Sequence, residues 1–243
     1  MSHDSESPDA VVVARDVGAP DAHPGSNVDV PGSATWWAAR QEKATRRRPR
    51  TDGLSIDRIV DAAIGLVDAE GLSALTVRRL ANDLSTGSAS LYRHVASREE
   101  LLVLMVDHVI GEVQLPDDTE APFTRIELLA GELRRVLLHH ERLLPALTAS
   151  PLVGPNAVRG AEVGLTSALD AGFAPEVATP AVLALIDFVL GTVYFDTSSA
   201  GRSFAGRAEP GAPLAPVPVA DEVFDFGLQT FLSGLQRRLG SDL

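Results

Sequence analysis

The sequence predicts an all-α protein in two parts, an N-terminal three-helix bundle with a helix-turn-helix and a larger C-terminal helical domain. Apolar residues recur at i, i+3, i+4 and i+7 through most of the chain after residue 55, which is the spacing of amphipathic helices. No stretch shows the strict alternation of a half-buried strand, and proline and glycine divide the periodic stretches into helix-sized lengths. A hydrophobic content of 45% is ample for a buried core in 243 residues.

Charge is distributed unevenly along the chain. The formal net charge is −12, which by itself argues against a nucleic-acid partner. Residues 40–98, however, hold 11 Lys or Arg against 7 Asp or Glu, whereas the remainder holds 10 against 26. A basic segment beside an acidic body predicts one DNA-facing end and a body that DNA repels.

Residues 1–45 are predicted to form a disordered tail, because the first 34 residues are rich in Asp, Ser, Pro and Gly. Trp36 and Trp37 begin a short segment that has helical character in one interpretation. The two indoles either dock on the rest of the protein, which we favour, or touch DNA.

Four arginines lie between Arg46 and Arg50, directly ahead of the first long helix. Such cationic arms follow phosphates or enter a narrow minor groove, where arginine meets a strong negative potential. The alternative is a solvated charge run near a linker. We favour the arm, and assign DNA contacts to Arg48 and Arg50.

The DNA-binding domain is predicted over residues 46–98. Its first helix spans Ser55 to Glu70, with Ser55 as the N-cap and Gly71 as the stop, and it braces the two helices that follow. Those two short helices are joined by a turn at Ser85-Thr86-Gly87, and Ser88 is predicted to cap the second. The residues predicted to face inward are Val77, Leu80, Ala81, Leu84, Leu91, Tyr92 and Val95.

The C-terminal domain is predicted over residues 99–243. Ser97 begins its first helix with a capping box, since Glu100 lies three residues later, and that helix reaches about Val113. It is therefore long enough to link the two domains. Further helices are predicted near 123–142, 143–149, 155–172, 178–198 and 219–239, with a mobile loop over 199–220 that is rich in Gly, Pro and Ala.

The run LTVRRLANDL, followed by LYRHV and SREELL, resembles the DNA-binding region of the tetracycline-repressor (TetR) family of bacterial transcription regulators. The resemblance covers about Arg46 to Ile110. Three later runs, at 154–172, 188–196 and 224–235, resemble the body of one branch of that family. The resemblance implies a C-terminal domain that holds a small-molecule pocket and dimerises through its last two long helices.

The resemblance also assigns roles by position. Arg78 takes the place of the family residue that reaches a base, and arginine prefers guanine O6 and N7. Ser88 and Ser90 take positions of groove contacts, and four other side chains take positions that hold phosphate. With the arm, the implied DNA-binding residues are Arg48, Arg50, Thr76, Arg78, Thr86, Ser88, Ser90, Tyr92, His94 and Arg98.

The turn of the motif departs from the family pattern. The family usually places glycine directly after the leucine that ends the first helix of the motif, where a positive φ is often needed. This chain has Ser85 there, and its glycine is Gly87. Either Ser85 accepts a mildly strained conformation, or the turn is re-registered around Gly87, which would tilt the reading helix.

The last two long helices predict a subunit interface. Ala184 and Gly191, like Gly227 and Gly234, are small residues seven positions apart, and such spacing lets helices approach closely. Two such helices from each of two subunits would form a four-helix interface around a twofold axis. The alternative is that both helices complete a monomer core. The predicted interface residues are Ala184, Phe188, Gly191, Gly227, Phe231 and Gly234.

No catalytic, metal or cofactor site is predicted. The chain has no cysteine, no Gly-rich phosphate loop and no nucleophile elbow. His139 and His140 point about 100° apart on a helix, so they do not share an ion easily and are expected at a half-exposed helix end. Asp187 interrupts the longest apolar run, so no membrane span is expected; its side chain hydrogen-bonds a neighbouring helix or faces a ligand.

These observations together predict a cytoplasmic, homodimeric, ligand-responsive regulator of transcription, and a repressor rather than an activator. Its expected partners are a double-stranded palindromic DNA operator and a small, largely apolar effector. The alternative is a helical small-molecule-binding protein with weakened operator reading, which the unusual turn at Ser85 motivates.

Overall fold

The structure, a computed structural model, describes residues 30–46, 54–150, 152–198 and 219–241. Within these ranges the chain forms ten α-helices and no strand, which confirms the all-α prediction. Arg48, Arg50, the first 29 residues and most of the predicted loop at 199–220 lie outside the described residues. The helices are α1 (Ala34–Arg46), α2 (Ile56–Glu70), α3 (Val77–Asp83), α4 (Ser88–Tyr92), α5 (Arg98–Ile110), α6 (Pro122–His139), α7 (Leu144–Ala149), α8 (Pro155–Asp170), α9 (Pro175–Thr197) and α10 (Ala220–Ser241).

The prediction of a disordered tail over residues 1–45 is wrong from Ala34 onward, because α1 begins there. The Trp37 side chain is buried in the main apolar core of the chain. The Arg40 guanidinium lies 5.3 Å from the centre of the Trp36 ring and forms an ion pair with Glu100 on α5. Burial of a large indole and an ion pair with α5 offset the cost of ordering this segment, so the docked interpretation of the tryptophan pair is confirmed.

The helices α2 and α3 form as predicted. The Ser55 hydroxyl accepts a hydrogen bond from the backbone N–H of Arg58 at 3.2 Å, and Gly71 ends α2 with a φ of +87°. A short 3₁₀ turn at Leu72–Ala74 then leads into α3. The inner face of α2 is buried against α3 and α5, so these helices form one bundle.

The link between the two domains is α5. Ser97 caps it, since its hydroxyl accepts from the backbone N–H of Glu100 at 3.1 Å. The Glu100 carboxylate accepts from the backbone N–H of Ala96 at 2.6 Å, one residue earlier than a standard capping box. α5 ends at Ile110, three residues before the predicted end, and packs on α2 as well as on α6, α7 and α8. The predicted link between domains is confirmed.

The core of the C-terminal domain is built from α6, α8 and α9, and α10 packs against α9 and α6. Arg134 on α6 ties the last two helices together. Its guanidinium pairs with Asp196 on α9 at 3.0 Å and with Asp221 on α10 at 2.9 Å, and it lies 4.8 Å from the centre of the Phe224 ring. The side chains of Arg134 and Asp196 are both largely buried, so their ion pair is little screened by solvent. Arg134 thereby fixes α6, α9 and α10 relative to one another.

The long helix α9 begins three residues before its predicted start. It begins at Pro175 and continues through Pro180, which has no N–H to donate to the Glu176 carbonyl one turn earlier. By length and composition it could cross a membrane, so the expectation that Asp187 leaves no such stretch is wrong. In this structure α9 packs instead against α6, α8 and α10.

Candidate nucleic-acid interface and internal cavity

The first helix of the predicted helix-turn-helix, α3, is held in place by a side-chain cap and by buried apolar residues. The Thr76 hydroxyl accepts from the backbone N–H of Arg79 at 3.2 Å and so caps α3. Leu80 and Ala81 are buried and seat α3 on the bundle. Thr76 was predicted to hold phosphate; the cap uses its hydroxyl as an acceptor, and its exposed position leaves the predicted contact sterically open.

The turn after α3 resolves the two alternatives for Ser85. Ser85 has a φ of +51°, whereas Gly87 has a φ of −82°. The Thr86 N–H donates to the Ala81 carbonyl at 2.9 Å and the Ser85 N–H donates to the Asn82 carbonyl at 3.0 Å, which is the Schellman pattern. Re-registration around Gly87 is therefore wrong, because Ser85 itself takes the left-handed conformation that closes the helix.

The cap of the second helix of the motif lies one residue earlier than predicted. Gly87 is the N-cap of α4 and gives no side-chain hydrogen bond, so the prediction that Ser88 caps the helix is wrong. The Gly87 carbonyl already accepts from the Ser90 N–H at 2.8 Å. Ser88 is the first helical residue, and its side chain lies on the exposed surface.

The outer face of α4 carries the small and aromatic side chains that were predicted to meet DNA. Leu91 and Val95 are buried and hold the helix against the bundle. Tyr92, which was predicted to point inward, is 54% exposed, because Leu91 is the residue of α4 that turns toward the core. Ser88 is exposed, while Thr86, Ser90 and His94 are half-buried on the same surface. We call this exposed face of α3, the turn and α4 the reading surface.

Two adjacent arginines on α3 differ in their partners. Arg79 pairs with Glu70 at 2.7 Å and with Asp83 at 3.2 Å, and these carboxylates, Asp83 first, raise the pKa of Arg79. Arg78 is exposed and makes no ion pair with any described residue. Of the two, Arg78 therefore keeps its charge available for another molecule.

Arg98, predicted to hold phosphate, has a structural role in this chain. Its guanidinium donates to the Leu75 carbonyl at 3.3 Å and to the Leu72 carbonyl at 3.2 Å. These bonds tie the start of α5 to the 3₁₀ turn ahead of α3. The remaining N–H groups of the fork stay open for the predicted phosphate contact.

A cavity of about 850 Å³ lies within the C-terminal domain. Its wall is mostly apolar, and α6, α8 and α9 supply most of it. Ile110, the last residue of α5, also reaches it, as do Gly32, Ser33 and Ala34 at the start of α1. Polar groups on the wall come from Thr148, Ser150, Asn156, Arg159 and Asp187. The volume suits a drug-sized organic molecule.

Part of this cavity exists because α8 carries glycine at two wall positions. A Cβ atom at Gly160 would meet no other atom within 4 Å, so the missing side chain leaves open space. A Cβ at Gly164 would come 3.3 Å from Val182 on α9, so this glycine allows α8 and α9 to approach closely. The composition of α8 thus sets both the width of the cavity and the spacing of its walls.

The six residues predicted for the subunit interface do not share one environment. The Phe188 ring stacks on Phe224 with 5.6 Å between centroids. A Cβ at Gly227 would come 2.7 Å from the Phe188 ring. Phe188 and Gly227 therefore belong to the contact of α9 with α10 within one subunit. A Cβ at Gly191 or Gly234 would meet nothing within 4 Å, so both face open space. Phe231 is half-buried and Ala184 is exposed.

Sequence reasoning missed His140. It is 5% exposed, not half-exposed, and its ring lies between Asp68 on α2, at 2.8 Å from Nδ1, and Glu112, at 3.1 Å from Nε2. It thereby joins the DNA-binding bundle to the C-terminal domain. The partners are 72 and 28 residues away along the chain, so no local pattern could have indicated the contact.

Known protein families and individual relatives match both domains of this chain. A family model for the bacterial regulatory proteins of the tetR family matches residues 59–105, and one for the tetracyclin repressor-like C-terminal domain matches residues 115–239. An HTH-type transcriptional regulator of Saccharopolyspora erythraea is 38% identical over 162 residues, which span 66% of this chain and 66% of that relative. The HTH-type transcriptional repressor DrrR1 of Streptomyces coeruleorubidus is 31% identical over 223 residues, with 79% of this chain and 82% of the relative covered.

Among solved structures, the TetR family protein ActR of Streptomyces coelicolor in complex with actinorhodin superposes with a TM-score of 0.64 at 30% identity. The match covers 77% of this chain and 99% of ActR. The two family models together span both domains described above, and the relatives are bacterial regulators and repressors of transcription. The chain therefore belongs to the TetR family, and it is a ligand-responsive, DNA-binding regulator of transcription.

Proposed function

We propose that this protein is a cytoplasmic, homodimeric repressor that a largely apolar effector releases from a palindromic operator. The observation that carries the proposal is the position of α5. Its first residue, Arg98, is bonded to the turn that precedes the reading motif, and its last, Ile110, lines the cavity. One rigid helix thus contacts both the DNA-binding bundle and the effector site.

The reading surface would enter the major groove with α4. Ser88 at its start is small, so the helix backbone can approach the base edges, and Arg78 can offer two N–H groups to guanine. Tyr92 and His94 would contact phosphate. Phosphate contacts fix register and most of the affinity, whereas base contacts decide the sequence.

The effector would be an organic molecule with a large apolar body. A cavity of about 850 Å³ with aliphatic walls favours such a compound. The likeness to ActR, whose crystal structure contains actinorhodin, supports a ligand of this size class. Arg159 and Asn156 on α8 would orient its polar groups, since both lie on the cavity wall.

Release would follow from a change in the position of α5. An effector that fills the cavity pushes on Ile110 and on α8, and α5 carries the displacement to the bundle. The two reading surfaces of a dimer then no longer match both half-sites. The effector must bind the released state more tightly than the DNA-bound state, and a coupling of ~1–3 kcal/mol is typical.

The dimer would form through the outer sides of α9 and α10. Tyr194, Phe195 and Phe226 are 54%, 55% and 76% exposed on these helices, and Gly191 and Gly234 leave room beside them. Exposed aromatic side chains next to small residues favour a closely packed partner. A twofold axis would place a copy of the same surface opposite.

Operator selection from random duplex DNA at fixed salt, with the full chain, tests this proposal. We expect enrichment of an inverted repeat whose half-sites lie about one helical turn apart or slightly more. Absence of enrichment would favour the alternative of a small-molecule-binding protein with weakened operator reading. Gly160→Leu supplies the control for release by effector, because it fills open space at the cavity and should reduce effector response while operator affinity is kept.

A further inference from the structure

α1 lies at the junction of the cavity, α5 and the C-terminal domain, and neither matched family region includes it. Gly32, Ser33 and Ala34, at its start, form part of the cavity wall. Ser33 also caps it, since its hydroxyl accepts from the backbone N–H of Trp36 at 3.2 Å. The start of the helix is therefore a structured part of the wall.

Near its start, α1 packs against the linking helix α5 and against the segment that begins α8. Trp37 is 8% exposed, and together with Val103 and Val106 of α5 and Leu152 and Ala157 of the C-terminal domain it lines a small void. Leu152 and Ala157 also line the main cavity. A shift of these cavity residues therefore cannot leave the indole undisturbed, because interiors are close-packed.

Three residues after Trp37, in the middle of α1, Arg40 connects this helix to the start of α5 through the carboxylate of Glu100. Arg40 pairs with one oxygen of Glu100, and the other oxygen accepts from the backbone N–H of Ala96, directly after the buried Val95 of the reading bundle. The Glu100 side chain is only 10% exposed. A buried carboxylate that loses its cation is strongly disfavoured, so displacement of Arg40 would disturb the Ala96 contact as well.

We propose that α1 is a movable wall of the effector cavity, and that its displacement is transmitted to the reading surface through Arg40 and Glu100. This inference rests on the proposed repressor function. It adds a second path by which the cavity acts on α5. We call α1 seated when Trp37 is buried and Arg40 pairs with Glu100, and the seated position belongs to the DNA-binding state. By linkage, operator binding must then favour the seated position of α1 by the same factor by which seating favours operator binding.

The chain provides its own reporter for this position. Its only two tryptophans are Trp36 and Trp37, both on α1, so tryptophan emission reports α1 alone. In Trp36→Phe protein, acrylamide quenching of Trp37 emission measures how often α1 leaves the seated position and exposes this indole to solvent. We expect the selected operator duplex to lower the quenching constant by about twofold or more, and a duplex of scrambled sequence to leave it unchanged.

Three variants test the transmission. We expect Arg40→Gln to weaken operator affinity at least fivefold and to abolish the effect of operator on Trp37 quenching, within the usual range of allosteric coupling. Gln41→Ala, on the exposed side of the same helix, should do neither. Glu100→Gln should resemble Arg40→Gln, and the double variant should be no weaker than either single one, because the two residues act as a unit.

The salt dependence of operator binding separates this role from a direct DNA contact. Loss of a phosphate contact lowers the slope of log affinity against log salt by about 0.9, whereas loss of transmission leaves it unchanged. A reduced slope in Arg40→Gln, additive losses in the double variant, or Trp37 quenching indifferent to bound operator would each overturn the inference. Failure of the chain to bind any operator would instead contradict the proposed function, so the two outcomes are distinct.

Discussion

Asp107 on α5 and Asn156 on α8 hold each other through both backbone and side-chain groups. The Asp107 carboxylate accepts from the Asn156 backbone N–H at 3.1 Å, and the Asn156 side-chain amide donates to the Asp107 carbonyl at 3.0 Å. Gly154 permits the approach, because a Cβ there would overlap the Asp107 carboxylate. Asp107 thus caps a helix of the cavity wall from the helix that leads to DNA.

This contact predicts a pH dependence of stability. Burial raises the pKa of Asp107 above its ordinary value of 3.8, although the hydrogen bonds from Ala157 and Asn156 act in the opposite direction. A carboxyl whose folded pKa is raised binds its proton more tightly in the folded state, so its contribution to stability is full below pH 3.8 and falls as pH rises through the folded pKa. We therefore expect Asp107→Asn to gain stability relative to the natural chain as the pH rises above 3.8.

Urea unfolding of both proteins at a series of pH values measures this difference. All other carboxylates are shared and cancel in the comparison. A difference in unfolding free energy that does not change with pH, or that changes in the opposite direction, would contradict the raised pKa. Asn156→Ala provides the control that removes the partner and keeps the carboxyl.

The left-handed turn predicts that Ser85→Gly stabilises the chain. A non-glycine residue in the left-handed region of φ/ψ space costs about 1–2 kcal/mol of folding free energy, and Ser85→Gly removes this cost. Glycine is more flexible in the unfolded chain, however, and fixing it on folding costs roughly 0.5–1 kcal/mol. We therefore expect a net gain of about 0.5–1 kcal/mol in the free energy of unfolding. Ser73→Gly, at an exposed residue of the 3₁₀ turn whose φ is not positive, should lose stability. Equal losses in both variants would show that Ser85 carries no strain.

The two arginines of α3 provide a matched pair for DNA recognition. Arg78→Ala should cost about 1–3 kcal/mol in specific binding and relax the preference at one base pair per half-site. Arg79→Ala removes the same charge, but Glu70 and Asp83 already hold that side chain, so the base preference should persist. Selection of operators with each variant measures both. A uniform loss over all sequences for Arg78→Ala would make it a phosphate contact.

The arginine arm predicts a change in salt dependence. Arg48→Ala with Arg50→Ala should weaken binding to every sequence and flatten the salt slope by up to about 1.8, since each neutralised phosphate contributes about 0.9. Substitution is preferable to deletion of residues 1–50, because deletion would also remove the docked α1. Arg237→Ala with Arg238→Ala removes the same charge from α10 and should leave the slope unchanged. An unchanged slope in the arm variant would exclude the arm from DNA binding.

Local sequence signals predicted the helices well, although they misplaced the Ser88 cap and the Tyr92 side chain, and two further failures share one physical cause. Ser55 and Ser97 cap their helices as predicted, each through a residue three positions later, so the pattern is visible in the sequence. The order of α1 depends on Trp37 meeting residues more than 60 positions away, and His140 meets Asp68 in the same way. Such contacts exist only after the chain has folded.

The interface illustrates the same limit and gives the last prediction. Spacing alone placed Gly227 and Gly234 on one surface, yet Phe188 covers Gly227 within the subunit, so a substitution at Gly227 would disturb the fold and say nothing about assembly. Gly191→Arg with Gly234→Arg is the better test, because both positions face open space and arginine is a better helix former than glycine. We expect monomers in sedimentation velocity, while Gly65→Arg on α2, which also faces open space, should leave dimers. Dimers in the double variant would place the interface elsewhere.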